Sequence, residues 1–207
     1  MLVTDTAREI RRRISDGDYD PGAKLNEVAL AAEYDVSRNT LREAFVMLMN
    51  QGFVHKIPNR GVFIAEPGID DVIDTYRARL VIEPAGLAHG EFLDARELRA
   101  QVLSAKKARG DGDLPAVAVA NQRFHRAVVA GLGSRELDEL MSRLLATMRL
   151  VFLEVLRVEP DFHADYIAQN EAIAELIGAG QRAEAAEKMR QQLQATSARV
   201  CEILAGD

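Results

Sequence analysis

Two groups of residues in this chain are spaced to do chemistry. The first is Val36-Ser37-Arg38-Asn39-Thr40-Leu41-Arg42-Glu43-Ala44-Phe45. Ser37 is a good helix N-cap, because its hydroxyl accepts a bond from an orphan backbone N–H one turn on. Leu41, Ala44, Phe45 and Leu48 then recur at helical spacing as one apolar stripe. Arg38, Asn39 and Arg42 fall off that stripe and face outward. An exposed helix start carrying Arg, Asn and Thr suits a DNA major groove, where Arg forks onto guanine and Asn onto adenine.

The second group is polar residues set into apolar helical stripes. Asn121 and His125 interrupt Val117, Phe124 and Val128; Asn170 interrupts Tyr166, Ile173 and Ile177; Gln192 lies between Met189 and Thr196. Arg79 stands between Tyr76 and Glu83, and Arg149 between Leu145 and Phe152. A buried polar atom left unpaired costs roughly 1–3 kcal/mol. Five helices each turning such a group inward therefore imply a shared polar cavity, and bundle cores commonly house ligand sites. Arg79 and Arg149 favour an anionic group on the ligand, while amides can both donate and accept.

Other elements must position these residues. Leu25 to Tyr34 reads as a short helix, followed by a tight turn at Tyr34-Asp35, so that helix, turn and helix succeed one another. Gly52 to Ile57 and Gly61 to Ile64 are β-prone runs separated by Pro58-Asn59-Arg60, which predicts a two-stranded wing with Asn59, Arg60 and Gly61 at its tip. An Arg there suits the negative potential of a narrow minor groove. Thr6 with Glu9 predicts a capping box at the start of an opening helix, followed by Ile10 and Ile14.

Beyond Glu66-Pro67-Gly68-Ile69 the β signal vanishes. Glycine- and proline-bearing separators predict six amphipathic helices near 70–90, 94–109, 113–131, 134–157, 162–178 and 181–205. The fold class expected is mainly α. A winged helix-turn-helix occupies 1–66, a linker 67–69, and an all-α six-helix bundle 70–207.

The net charge of −6 is unevenly spread. Residues 1–66 carry nine Lys/Arg against ten Asp/Glu, and the remainder 17 against 22. A strongly basic half is absent, so DNA binding would depend on where cations sit: Arg11-Arg12-Arg13, Arg38, Arg42, Lys56 and Arg60 are the ones that could share a surface. The arginine triplet is equally readable as an ordinary solvated helix face. No run of about 18 apolar residues and no export signal is legible, so a cytoplasmic protein without a membrane partner is expected. The single cysteine, Cys201, reads as a small core or interface residue.

The pattern Pro21-Gly22-x-x-Leu25, Leu30-Ala31, Val36-Ser37-Arg38-x-Thr40-x-Arg42-Glu43-Ala44, Gly52-Phe53-Val54 and Pro58-x-Arg60-Gly61 resembles the GntR family of bacterial transcription regulators over roughly residues 5 to 66. The resemblance implies a homodimer on double-stranded operator DNA, with Ser37, Arg38, Asn39, Thr40, Arg42, Arg60 and Gly61 at the interface. Val28 stands where some relatives carry an Arg. The second half resembles the FCD effector-binding domain of the FadR subfamily, through Tyr76-x-x-Arg79-x-x-x-Glu83-Pro84, Phe124-His125-Arg126 and Ala172-Ile173 to Met189-Arg190.

Many such domains hold a divalent metal on one Asp and three His. Mapped onto this chain, those positions are Asn121, His125, Asn170 and Gln192. Three of the four are neutral amides, which are weak donors to zinc-like ions. The expectation is no metal and no cofactor, with Arg79, Asn121, His125, Arg149, Asn170 and Gln192 lining a site for a small anionic organic effector. Repression relieved by that effector is the first choice, with activation as the alternative. A competing class is a helical metal- or acid/base-dependent enzyme, with His125 and Glu83 or Tyr166 as acid and base. No nucleophile motif, phosphate loop or complete ligand set accompanies them, so no catalytic residue is assigned. An all-α adaptor is a third reading.

Overall fold

The computed structural model describes residues 2–206, and two compact units emerge. The first comprises Met1–Gly68 together with Ala146–Glu154, and the second Ile69–Leu145 together with Val155–Asp207. A single cut at 67–69 is therefore too simple, because the middle of one long helix belongs to the first unit.

In the first unit the order is α1 (Val3–Asp16), β1 (Lys24–Leu25), α2 (Glu27–Glu33), α3 (Arg38–Asn50), β2 (Val54–Ile57) and β3 (Gly61–Ile64). Ile10 and Ile14 of α1 pack with Leu41, Phe45 and Leu48 of α3 over Phe53 and Ile64, all essentially without solvent exposure. Ala146 and Leu150 complete this core. The period-3.6 stripe seen in the sequence is thus the buried face of α3.

The expected two-stranded wing is a three-stranded antiparallel sheet of order β1-β3-β2. β1 is two residues long, too short to leave a periodic signature. Asn26 caps α2 by accepting bonds from the Val28 and Ala29 N–H groups, so α2 starts later than Leu25. The capping box at Thr6 is not formed. Thr6 lies inside α1, its hydroxyl donating to the Leu2 carbonyl at 3.0 Å, while Glu9 pairs with Arg12.

The second unit contains α4 (Ile69–His89), α5 (Ala95–Gly110), α6 (Leu114–Ala130), α8 (Ala164–Gly178) and α9 (Arg182–Ala205), with both ends of α7 (Arg135–Val158). Six helices were expected here, and their bounds agree within two residues. Asp94, Asp113 and Ser134 cap α5, α6 and α7 through side-chain oxygens. α4 packs along α9, α5 along α6, and α8 against both α5 and α9. Pro84 lies within α4, which nevertheless runs on to His89. This packing turns one face each of α4, α6, α8 and α9 toward a common interior.

Candidate DNA-binding and effector sites

The Ser37 hydroxyl accepts from the Thr40 N–H at 3.0 Å and lies 2.8 Å from the Thr40 hydroxyl. These two side chains therefore close the first turn of α3 on itself, and their main contribution is to fix where the helix begins. Arg38 and Asn39 are exposed and make no hydrogen bond or ion pair among the described residues. Arg42, also exposed, donates from Nε to Glu27 Oε2 at 3.0 Å, which holds its guanidinium toward the start of α2.

At the wing tip, Asn59 (φ +60°) and Gly61 (φ +114°) occupy left-handed backbone conformations. Asn tolerates such a conformation, whereas at +114° a side chain is strained. A Cβ on Gly61 would also meet the Lys24 Cε at 3.1 Å. Arg60 is exposed, with its guanidinium 5.7 Å from the centre of the Phe63 ring.

The arginine triplet does not contribute to a free positive surface. Arg11 donates to Gln51; Arg12 pairs with Glu9 and Asp16; Arg13 pairs with Asp18 and Glu33, donates to the Tyr34 hydroxyl, and covers the Tyr19 ring. Arg12 and Arg13 are thus bound to neighbouring acids, and Arg11 to an amide. The solvated-face reading of the triplet fits this arrangement better than a DNA-facing one.

In the second unit, Arg79, Glu83, His125, Asn170 and Gln192 are all buried, and Asn121 is half-buried. They form two connected sets. In one, Glu83 bridges two partners: Arg79 Nε donates to Glu83 Oε1 at 2.5 Å, and His125 Nδ1 lies 2.6 Å from Oε2. A carboxylate only accepts, so Nδ1 carries the hydrogen of this bond. Arg79 also lies 4.9 Å from the Tyr76 ring centre.

Burial pushes the Glu83 carboxyl upward, but the charges of Arg79 and His125 outweigh it and hold its pKa below the ordinary value. Burial likewise opposes the charge on Arg79, and Glu83 and Tyr76 more than offset that, raising the guanidinium pKa. Tyr76, desolvated, has its phenol pushed up.

The other set is a ladder of amides. Asn170 Nδ2 donates to Asn121 Oδ1 at 2.7 Å, and Gln192 Nε2 donates to Asn170 Oδ1 at 3.0 Å. Gln192 Oε1 ends the ladder: it is buried and accepts no bond within the described residues. A small recess at the Asn121–Asn170 part of the ladder is also lined by Val102, Ala105, Phe124 and Ile167.

Five of the six expected effector residues are thus brought to one interior. Arg149 is the exception and corrects the expectation. It belongs to the first unit, buried, with one guanidinium nitrogen 3.5 Å from the Asp16 carbonyl. Its place on α7 packs it against Gly17 at the end of α1. Glu83, considered from the sequence only as a motif position and as an acid/base partner of His125, is the residue that joins Arg79 and His125. Its spacing from Arg79, one helical turn, was the available signal.

The donor set does not suit a metal ion. Of the four positions expected to match a metal set, only His125 offers an imidazole; the Asn121 and Asn170 oxygens accept from neighbouring amides, and amide oxygens are weak donors to zinc-like ions. Among the described residues no three His, Cys, Asp or Glu side chains converge. No step of the function is therefore built on a metal.

Comparison with known proteins fits both halves. The pattern of bacterial regulatory proteins of the gntR family matches residues 2–64, and that of the FCD domain matches residues 74–195. The HTH-type transcriptional repressor GlaR of Escherichia coli K12 is 27% identical over 206 residues, covering 93% of this chain and 94% of its own. An HTH-type regulator of Agrobacterium vitis is 28% identical over 136 residues, 62% of this chain and 79% of its own. A solved structure assigned as a GntR transcriptional regulator from Rhodococcus sp. RHA1 is 32% identical, with a TM-score of 0.85 and 96% of both chains covered. E. coli McbR/YncC, 20% identical with a TM-score of 0.82 over 97% of both chains, shares the fold. The chain belongs to the GntR family of bacterial regulatory proteins: it is a DNA-binding transcription regulator with an FCD domain in its second half, and not an enzyme.

Proposed function

We propose that this regulator is a metabolite-responsive repressor acting as a homodimer on a pseudo-palindromic operator. The two α3 helices enter successive major grooves, with half-site centres about 34–36 Å apart in the simplest arrangement. Arg38 and Asn39 read base edges, Arg60 enters the adjacent minor groove, and Ser37 with Thr40 sets the height of the helix tip.

The observation that supports an effector in the helical unit is the open end of the amide ladder. A buried carbonyl oxygen without a donor is costly, and Gln192 Oε1 is such a group among the described residues. A small organic molecule offering an N–H or O–H there satisfies it. Arg79 and His125 supply the polar contacts for the rest of the ligand, including an anionic group.

The site works without a metal, its amides taking over by hydrogen bonding what an ion does elsewhere. Binding shifts the equilibrium between arrangements of the paired winged units by its unequal affinity for them. Repression is chosen over activation because GlaR, similar over nearly the whole chain, is named a repressor.

The test is a thermal-shift screen of central metabolites in the presence and absence of chelator, followed by a gel shift with the hit. A ligand that stabilises the protein irrespective of chelator and releases DNA supports the reading. A response that requires added zinc and vanishes with chelator contradicts it.

A further inference from the structure

The outer face of the wing sheet carries a row that no recognition motif assigns. Register places Lys24 of β1 and His55 of β2 on either side of Phe63 of β3, so the three side chains share one face. His55 stacks on Phe63 with ring centres 5.9 Å apart and planes 18° apart. Arg60 lies over the same ring. Lys24 runs along the wing tip, its Cε 3.1 Å and its Nζ 3.9 Å from where a Gly61 Cβ would stand.

Several of the unit's other cations are paired, while Arg38 and Lys56, like this row, form no ion pair among the described residues. Arg8, Arg12, Arg13 and Arg42 are each bonded to an acid of their own unit. Lys24 and Arg60 are exposed and form no ion pair among the described residues. A charge kept free of internal partners on a convex edge is available to an external anion. The ammonium stands beside the backbone of the tip itself. Whatever places Arg60 in a minor groove sets Lys24 at the lip of that groove, where phosphates line both sides.

We infer that Lys24, with His55 across Phe63 from it, is a phosphate-binding element that clamps the DNA backbone next to the wing. The anion it takes is the phosphodiester of the bound duplex. Phe63 serves as the platform that keeps Arg60 and His55 apart and raised on the same face. Such a contact adds affinity without sequence preference, because phosphates are the same along every duplex. The inference rests on the chain's DNA binding through the winged unit.

The experiment measures operator and scrambled duplex affinities for Lys24→Gln, Lys24→Arg and Arg38→Ala across a salt series. Loss of one phosphate contact lowers the slope of log K against log salt by about 0.9, which is roughly fivefold in affinity at 0.15 M salt. Lys24→Gln is expected to show that drop equally on both duplexes, with an unchanged melting temperature, and Lys24→Arg to restore the slope. An unchanged slope and affinity in Lys24→Gln, while Arg38→Ala loses operator preference, overturns the inference alone. A loss confined to the operator duplex also overturns it, since that is base readout. Absence of binding by the unaltered protein to either duplex overturns it together with the recognition reading.

Discussion

Gln192 gives its side-chain N–H to Asn170 at 3.0 Å and receives nothing at its own carbonyl oxygen among the described residues. The ladder therefore has a direction, from Gln192 through Asn170 to Asn121, and an unfilled acceptor at its start. Gln192→Glu puts a carboxylate in the same volume, which can still accept at the open position but cannot donate to Asn170. Such a buried, partly paired charge is costly. The expected outcome is a lower melting temperature and loss of any effector-induced shift. Gln192→Met, which removes the orphaned acceptor, is expected to be less destabilising. The opposite order of melting temperatures, read by scanning calorimetry, contradicts the ladder.

Glu83 is completely buried between Arg79 and His125. Glu83→Gln removes the charge that compensates Arg79 and is expected to cost about 3–5 kcal/mol in denaturant unfolding. Replacing Arg79 and Glu83 together by Met and Leu should recover much of that loss. A double variant no more stable than Glu83→Gln contradicts the pairing.

The pH dependence of stability follows from the same carboxyl. The native pKa of Glu83 is depressed relative to the unfolded chain. The unfolded state therefore binds more protons at mildly acid pH, and stability rises with pH there. The contribution is full above the ordinary Glu value of about 4.3 and is lost as pH falls below it, through the depressed native value. Urea titrations between pH 3 and 7 are expected to show this fall. Glu83→Gln flattens it, and an identical pH profile in both proteins speaks against the depressed carboxyl.

Arg149 is buried with Nε and Nη1 unpaired among the described residues, and burial lowers its pKa against the pull of Asp16 and Asp18. Arg149→Met is expected to leave stability unchanged or raise it, since a poorly compensated buried charge is often replaced at no cost. It should leave effector affinity alone as well. A loss of affinity comparable to that of Arg79→Met would return Arg149 to the site.

Much of this was legible in the chain. The apolar stripes of α3 and α7 and the Asp or Ser before α5, α6 and α7 carry enough local information to place those elements. The polar interruptions at Arg79, Asn121, His125, Asn170 and Gln192 predicted a shared interior because burial makes polar groups seek each other. What escaped was set by long-range contacts. β1 exists only because β3 pairs with it across almost forty residues. Thr6 and Glu9 matched a capping pattern, yet the helix begins earlier, at Val3. Arg149 shares the inward helical phase of its neighbours, but the middle of α7 serves the first unit. No periodicity distinguishes which core a stripe will join.

The arginine triplet teaches the same lesson for charge. Three consecutive cations suggest an electrostatic footprint, while Glu9, Asp16, Asp18 and Glu33 absorb two of them locally. Lys24, Arg38, Lys56 and Arg60 are the exposed cations of Met1–Gly68 with no hydrogen bond or ion pair among the described residues, a set that counting charges along the chain does not single out.

The most direct measurement takes a duplex selected from a random library by the intact protein and titrates it with Arg38→Ala and Arg12→Ala. Arg38→Ala is expected to lose about 1–3 kcal/mol of operator affinity, with relaxed preference at one base position. Arg12→Ala, its side chain bound to Glu9 and Asp16, should bind as the unaltered protein does. Undiminished operator binding by Arg38→Ala, with the same base preferences, would contradict the claim that the tip of α3 reads the DNA.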